Sequence, residues 1–207
     1  MTTTATLPVP AHAHEAQTAE HSVWATSIRF TLLTTLLFGI AYPLVLTGVA
    51  GAVFPHRAAG SLIERNGQVI GSELLAQGFA SDKYFHPRPS AAGNGYDATS
   101  SGGSNYAQSN AKLVQRMQGD IDKLAAENPG RPVPIDAVTT SGSGLDPDIT
   151  PDNALFQARR VAKARGLSEE QLKQLISQHT QARTFGLLGE PRVNVLELNL
   201  ALDQLAK

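Results

Sequence analysis

The sequence predicts an α+β protein, with one N-terminal membrane-spanning helix followed by a helix-rich domain that carries a small sheet. Three features predict it. Residues 30–54, FTLLTTLLFGIAYPLVLTGVAGAVF, are a run of 25 without a charge. Asn66-Gly67 lies between the apolar pairs Leu62-Ile63 and Val69-Ile70, which marks a hairpin. Beyond residue 110, apolar residues recur at helical spacing between start and stop signals.

As a helix the uncharged run is about 37 Å long, enough to cross a hydrocarbon core of roughly 30 Å with some tilt. Arg29 bounds it on one side, and Pro55, His56 and Arg57 on the other. Pro43, beside Tyr42 near the middle, predicts a kink. Gly39, Gly48 and Gly51 are small enough for a neighbouring helix to approach closely, and with Pro43 they are the candidate packing residues of the span. A buried core helix suits 25 uncharged residues poorly. A signal peptide cleaved at Ala50-Gly51-Ala52 would want a basic start and a shorter apolar run, yet Arg29 is the one basic residue before the run. The segment therefore reads as an uncleaved anchor. Arg29 on one flank against Arg57 and Arg65 on the other leaves its orientation open, because long domains cross largely regardless of such counts.

Residues 1–29 are rich in Thr, Ala and Pro without a clear period and predict a mobile tail. His12, His14 and His21 there read as solvated rather than as metal ligands. Residues 56–207 form the predicted domain, with 16 basic and 16 acidic side chains, which removes the electrostatic case for a nucleic-acid binder. The absence of cysteine excludes disulfide scaffolds, thiolate zinc sites and cysteine nucleophiles. At 42% apolar residues the chain is too apolar to be disordered.

Within the domain, Asn66-Gly67 supplies the positive φ of a type I′ turn in a hairpin over 61–71. Residues 71–110, rich in Gly, Ser and Asn, predict a long irregular stretch. Phe79, Tyr84, Phe85, Tyr96 and Tyr106 argue that it is packed and ordered. Leu113, Val114, Met117, Ile121 and Leu124 predict a helix, stopped by Asn128-Pro129-Gly130. Val133, Ile135 and Val138 predict a short strand over Val133–Thr139. Thr150-Pro151 starts a helix that Gly166 ends. Ser168 and Gln171 form a capping box, with Leu167 and Leu172 placed as a hydrophobic staple. A last helix starts at Asn194 with Glu197 at its third position.

The chemical motifs are mostly negative. There is no GxxxxGK[ST] loop, and Asp82-Lys83 is not followed by the Thr-Gly-Thr of a phosphorylated pump aspartate, so neither route to ATP hydrolysis is present. No HExxH occurs. Asp146, Asp148 and Asp152 hint at a calcium loop, but Thr150 and Pro151 occupy positions that need a ligand and a glycine, so acids at a helix N-terminus are the plainer reading. Two clusters, Ser100–Asn105 and Ser141–Pro147, are rich in Ser and Gly. Such loops can bind anions through backbone N–H groups or weakly hydrated cations through oxygens, or simply form tight turns. Ser143 with His86 and Asp146 suggests a hydrolase triad, although neither cluster matches GxSxG. Arg159, Arg160, Lys163 and Arg165 read as a solvated helix face, with an anionic lipid or a partner subunit as the alternative. Contact residues are expected on Arg88 and Ser90, on Ser101, Ser104 and Asn105, and on Ser143 and Asp146, since recognition favours loops held on a rigid scaffold.

Taken in order, the motifs resemble the C-subunit family of the bacterial Kdp potassium-transporting ATPase. The resemblance rests on Gly71-Ser72, Gln77-Gly78-Phe79, Tyr84-Phe85, Arg88-Pro89-Ser90 and Ser101-Gly102-Gly103-Ser104-Asn105. It continues through Ser141-Gly142-Ser143-Gly144-Leu145-Asp146-Pro147, Arg160-Val161-Ala162 and the run from Gly189 to Asn199. Asp148, where the family often has histidine, Arg159, where proline is common, and the long N-terminal tail depart from the pattern.

The resemblance implies a noncatalytic, single-pass subunit in the bacterial inner membrane, with its large domain extracytoplasmic. Its implied partners are a channel-like potassium-binding subunit, a P-type ATP-hydrolysing subunit, a small single-span subunit and the lipid bilayer. The subunit would aid assembly and act as a catalytic chaperone that raises the pump's ATP affinity. No cofactor of its own is implied; ATP and potassium act through the complex. A domain outside the membrane does not meet cytoplasmic ATP, so that topology and direct nucleotide binding conflict. A membrane-anchored serine hydrolase using Ser143 and a stand-alone binding module are the rival readings.

Overall fold

The computed structural model describes the backbone of residues 12–205 and the side chains from Val23 onward. Residues 1–11 of the expected tail lie outside it, as do the side chains of His12, His14 and His21. The chain divides after Ala59 into two units.

The first unit is helical: α1 (His12–Thr34), a π-helical turn (Thr35–Ala41), α2 (Tyr42–Val53) and the short α3 (Pro55–Ala58). The helix begins upstream of Phe30, because Ala, Glu and Gln after His12 are good helix formers and the apolar run extends the same hydrogen-bond ladder. Val23–Val53 is long and apolar enough to cross a membrane, with none of its most apolar window buried. The irregularity expected near Pro43 takes the form of the π-helical turn. Pro43 has no N–H to donate, and just before it the Tyr42 N–H reaches back five residues to Leu37 O.

The second unit opens with a hairpin, β1 (Leu62–Arg65) and β2 (Gln68–Ser72), which turns through Asn66 at φ +54° and Gly67 at φ +74° as the Asn-Gly pair predicts. No helix or strand follows until α4 (Ala111–Glu127), which Asn110 caps by accepting from the Lys112 N–H. The remaining elements are a 3₁₀ turn (Ile135–Ala137), β3 (Asp148–Ile149), α5 (Pro151–Arg165), α6 (Glu169–Gln178), β4 (Thr180–Gln181), β5 (Arg192–Asn194) and α7 (Val195–Leu205). Strands β3, β5 and β4 form an antiparallel sheet in that order. The helix signals hold. Thr150 caps α5, Gly166 ends it at φ +69°, Ser168 and Gln171 form the capping box, and Asn194 accepts from the Glu197 N–H.

The strand expected over Val133–Thr139 is absent, replaced by the 3₁₀ turn. Pro132 and Pro134 cannot donate to a ladder. The buried carboxylate of Asp136 instead accepts from Thr150 N (2.8 Å), Thr150 Oγ1 (3.0 Å) and Asn153 Nδ2 (3.1 Å), which ties the turn to the start of α5.

The core packs Phe85 with Ile149, Val161, Leu172, Ile176, Val193, Leu198 and Leu202, and Leu167 lies against it beside its staple partner Leu172. Phe85 belongs to the irregular stretch, so its backbone enters the core without a strand neighbour. Side chains replace that neighbour. Asn199 Oδ1 accepts from Phe85 N (2.8 Å) while Asn199 Nδ2 donates to Phe85 O (2.9 Å). Gln157 grips His86 in the same way, at 2.7 and 2.9 Å. Arg160 donates to Asp82 O (2.8 Å) and Tyr84 O (3.1 Å), and Arg165 to Lys83 O (2.7 Å). Asn199→Ala would leave both backbone groups of Phe85 unpaired inside the core. A loss of about 2–4 kcal/mol is expected, read from the denaturant midpoint of the full chain in mild detergent.

Candidate partner-contact site

Three loops expected to carry contacts converge in the structure. Arg88, set between Pro87 and Pro89, places its guanidinium 3.1 Å from Asp146 Oδ2 and donates to Thr139 O (3.4 Å), Thr139 Oγ1 (3.3 Å) and Thr140 O (3.3 Å). Ser90 Oγ donates to Gly144 O (2.6 Å) and accepts from Ala92 N (3.1 Å) and Tyr96 N (2.8 Å). Tyr96 closes the loop by donating its hydroxyl to Arg88 O (2.9 Å), and burial raises its phenol above the usual range. Ser101 Oγ and Gly102 N both donate to Ser143 O, at 3.0 and 2.8 Å. Ser143 Oγ accepts from Leu145 N (3.1 Å).

Backbone packing explains the glycine here. Gly144 has φ +67°, and a Cβ on it would stand 2.6 Å from Gly102 O and 2.7 Å from Ala92 N. The N–H groups of Gly102 and Gly144 are used between and within the loops, so neither is free for an anion. Ser104 is half-buried and Asn105 exposed, and neither side chain hydrogen-bonds among the described residues.

Arg88 and Asp146 form one wall of a shallow cleft of about 220 Å³ shared with Asp136, Asp148, Glu190 and Arg192. Asp148 lies 3.1 Å from the Arg192 guanidinium. Burial pushes its carboxyl up, and Asp146 adds to that, against the opposing pull of Arg192. Nε, Nη1 and Nη2 of Arg88 are all engaged, so binding a phosphate would first break contacts that hold the loops. Asp146 and Asp148 each face an arginine while Asp152 is exposed, which is not a calcium loop. Among the described residues no three His, Asp or Glu side chains gather as a metal site.

The triad imagined from Ser143, His86 and Asp146 is not assembled. His86 Nε2 lies 3.1 Å from Ser81 O, in a separate cleft of about 310 Å³ with Asp82, Lys123, Glu127 and Arg160. Burial lowers the His86 pKa, and the Arg160 guanidinium lowers it further. The cationic run on α5 is also not one solvated face. Arg159 and Lys163 are exposed, but Arg160 and Arg165 turn inward, with side chains 15% and 8% exposed. Their partners are the carbonyls of residues 82–84, with Gln157 for Arg160 and Asp203 for Arg165. In the span, a Cβ on Gly48 or Gly51 would meet nothing within 4 Å, and one on Gly39 only Thr35 Cγ2 at 3.7 Å, so these positions leave open surface. Pro43 lies in the first turn of α2.

Tyr96, Thr139, Gln157 and Asn199 are the residues that sequence reasoning missed. The sequence presents Tyr96 as a packing aromatic and Asn199 as the end of a family-like run, with no sign of the bonds they make, and Thr139 and Gln157 carry no local motif.

The chain thus joins one helix long and apolar enough to cross a membrane to an α+β domain whose loops are hydrogen-bonded to one another. The family described as K+-transporting ATPase, c chain, matches residues 24–204. The chain is 58% identical over 189 residues to the potassium-transporting ATPase KdpC subunit of Rhodopseudomonas palustris (strain BisB18), covering 86% of this chain and 95% of the relative. It is 55% identical over 178 residues to the subunit of the same name from Koribacter versatilis, covering 86% and 92%. With that of Acidobacterium capsulatum the identity is 56% over 181 residues, covering 87% and 97%. The chain belongs to the KdpC family of potassium-transporting ATPase subunits.

Gly144→Ala is expected to cost about 2–4 kcal/mol, since both the φ and the two backbone neighbours oppose a Cβ. The unfolding midpoint of the full chain in mild detergent measures it. A pH effect follows from His86, which holds its proton less tightly when folded than when unfolded. Its contribution to stability therefore rises with pH up to its ordinary value of 6.5 and is constant above it. The unfolding midpoint of His86→Asn should vary less than that of the parent between about pH 5 and pH 7.

Proposed function

We propose that this chain is the noncatalytic accessory subunit of an ATP-driven, high-affinity potassium uptake pump. It sits single-pass in the bacterial inner membrane with its large domain extracytoplasmic. Its partners are a channel-like potassium-binding subunit, a P-type ATP-hydrolysing subunit and a small single-span subunit. The observation that carries the reading is the extent of the family match, which takes in the apolar helix as well as the domain.

In this reading ATP and potassium act through the complex. The span packs against the channel-like subunit at Gly39, Pro43, Gly48 and Gly51, and the loops around Arg88, Ser90, Ser101, Ser143 and Asp146 are a docking surface. Ser104 and Asn105, whose side chains have no bonds among the described residues, are the members of that surface open to a partner. An extracytoplasmic domain raises ATP affinity only by contacting the pump's conformations unequally, thereby biasing their equilibrium. The mutual locking of the loops supports this, because a preorganised surface loses little entropy on docking. The separate bonding of Ser143, His86 and Asp146 argues against the hydrolase reading.

The test is gentle detergent extraction of the tagged chain from its native membrane under potassium starvation. Co-purification with a P-type subunit and potassium-stimulated ATP hydrolysis are expected. A lone 21.9 kDa chain, with partners expressed and dissociation controlled, would overturn the reading in favour of a stand-alone module. Removing residues 56–207 while keeping the span should shift the potassium and ATP dependence of the complex, and unchanged values would sink the coupling role.

A further inference from the structure

The cleft of about 310 Å³ beside His86 is lined by α4, α5 and the irregular stretch over 79–96. Its size falls at the low end of small-molecule sites, which run from about 300 to 1,000 Å³. One lining residue, Asn128, directly follows α4 and is 2% exposed. Asn128 Nδ2 donates to Phe156 O (3.3 Å), and because a carbonyl only accepts, this contact fixes which arm of the amide is which. Asn128 Oδ1 is thereby an acceptor, yet it is buried and no group among the described residues donates to it. A buried amide oxygen without a donor is costly, and a ligand that brings one removes the cost.

His86 supplies a second acceptor to the same cleft. Its Nε2 lies 3.1 Å from Ser81 O, which needs a donor, so Nε2 carries the proton. Burial and the Arg160 guanidinium disfavour the charged ring, which leaves Nδ1 with its lone pair. The charges around these acceptors are mixed. Lys123 and Glu127 stand four residues apart on one face of α4, and the Glu127 carboxylate acts on both His86 and Arg160. Asp82 lies 3.8 Å from the Arg160 guanidinium. A bare cation here would meet Lys123 and Arg160, and a bare anion would meet Asp82 and Glu127. A zwitterion suits both signs: its ammonium offers three donors to Asn128 Oδ1, His86 Nδ1 and Glu127, while its carboxylate accepts from Lys123. Phe79, Leu124 and Phe156 give the cleft an apolar wall for the rest of such a molecule.

We propose that this cleft binds a free α-amino acid with an apolar side chain, held by Asn128, Glu127 and Lys123. The inference is independent of the subunit reading above. The test titrates the full chain in mild detergent calorimetrically with L-leucine. Three partial mimics are titrated alongside: isoamylamine, which lacks the carboxylate, isocaproate, which lacks the ammonium, and glycine, which lacks the side chain. Saturable binding of leucine is expected, with each mimic bound roughly tenfold or more weakly. Glu127→Gln and Lys123→Gln, both at exposed positions of α4, should each weaken leucine binding about tenfold. No saturable leucine binding at millimolar concentration would overturn the proposal, as would undiminished binding in either variant. Binding of a mimic as tight as that of leucine would overturn it too, in favour of an amine site, an anion site or a site blind to the side chain.

Discussion

An irregular stretch that enters a protein core must find partners for its backbone N–H and C=O groups, and the carbonyls of residues 82–86 find theirs in side chains. Five consecutive carbonyls accept hydrogen bonds from Arg160, Arg165, Gln157 or Asn199, which are carried on α5 and α7. This arrangement seats Phe85 in the core and fixes the path that leads, three residues on, to Arg88 and then to Ser90. The positions of the 101–105 and 141–146 loops follow from those two side chains. Burying two guanidinium groups is costly, and the carbonyls, the Asp203 carboxylate 2.8 Å from Arg165 and the Tyr84 ring 4.7 Å below it offset that cost. The irregular stretch is thereby as firmly placed as a strand would be.

The first unit solves a different problem. Inside hydrocarbon a backbone group has no water to bond, so a proline in mid-span requires a local rearrangement of the ladder. The π-helical turn provides it without adding a polar side chain. It also leaves Gly39 and, further along, Gly48 and Gly51 with little beyond their own helix to limit close approach. The small positions of the helix stay open, as the close helix packing of the proposed function requires.

Much of the fold was legible because its signals are local. The Asn66-Gly67 turn, the Ser168–Gln171 box and the Asn194 cap each lie within four residues, and each folds as read. The strand expected at Val133–Thr139 does not form because Pro132 and Pro134 lack the donors a ladder needs, which outweighs the apolar pattern. The β3–β5–β4 sheet has strands of two or three residues, too short to show alternation. Arg160 and Arg165 share a run with Arg159 and Lys163 but turn inward, and composition does not reveal which cations have carbonyls to face. The loops expected to carry contacts stand out in the sequence by their glycine and serine content, and the structure brings them together. The pairs that hold the domain, such as Asn199 with Phe85 at a separation of 114 residues, have no local signature at all.

Under the proposed function, the internal ties of the domain bear on how a subunit without catalytic chemistry would influence a pump. A tenfold change in an affinity elsewhere corresponds to about 1.4 kcal/mol of differential contact between two conformations. Full burial of one large apolar side chain contributes about 1.5–3 kcal/mol. Under the proposed function, one apolar side chain seated in one conformation and exposed in the other is therefore enough, provided the domain does not deform to follow it. A flexible domain would track its partner through both conformations and cancel the difference. The side-chain clamps on residues 82–86 and the interlocked loops around Gly144 oppose such deformation. Under the proposed function, the stiffness built by Asn199, Gln157 and Arg88 is what turns a surface contact into a bias on the whole pump.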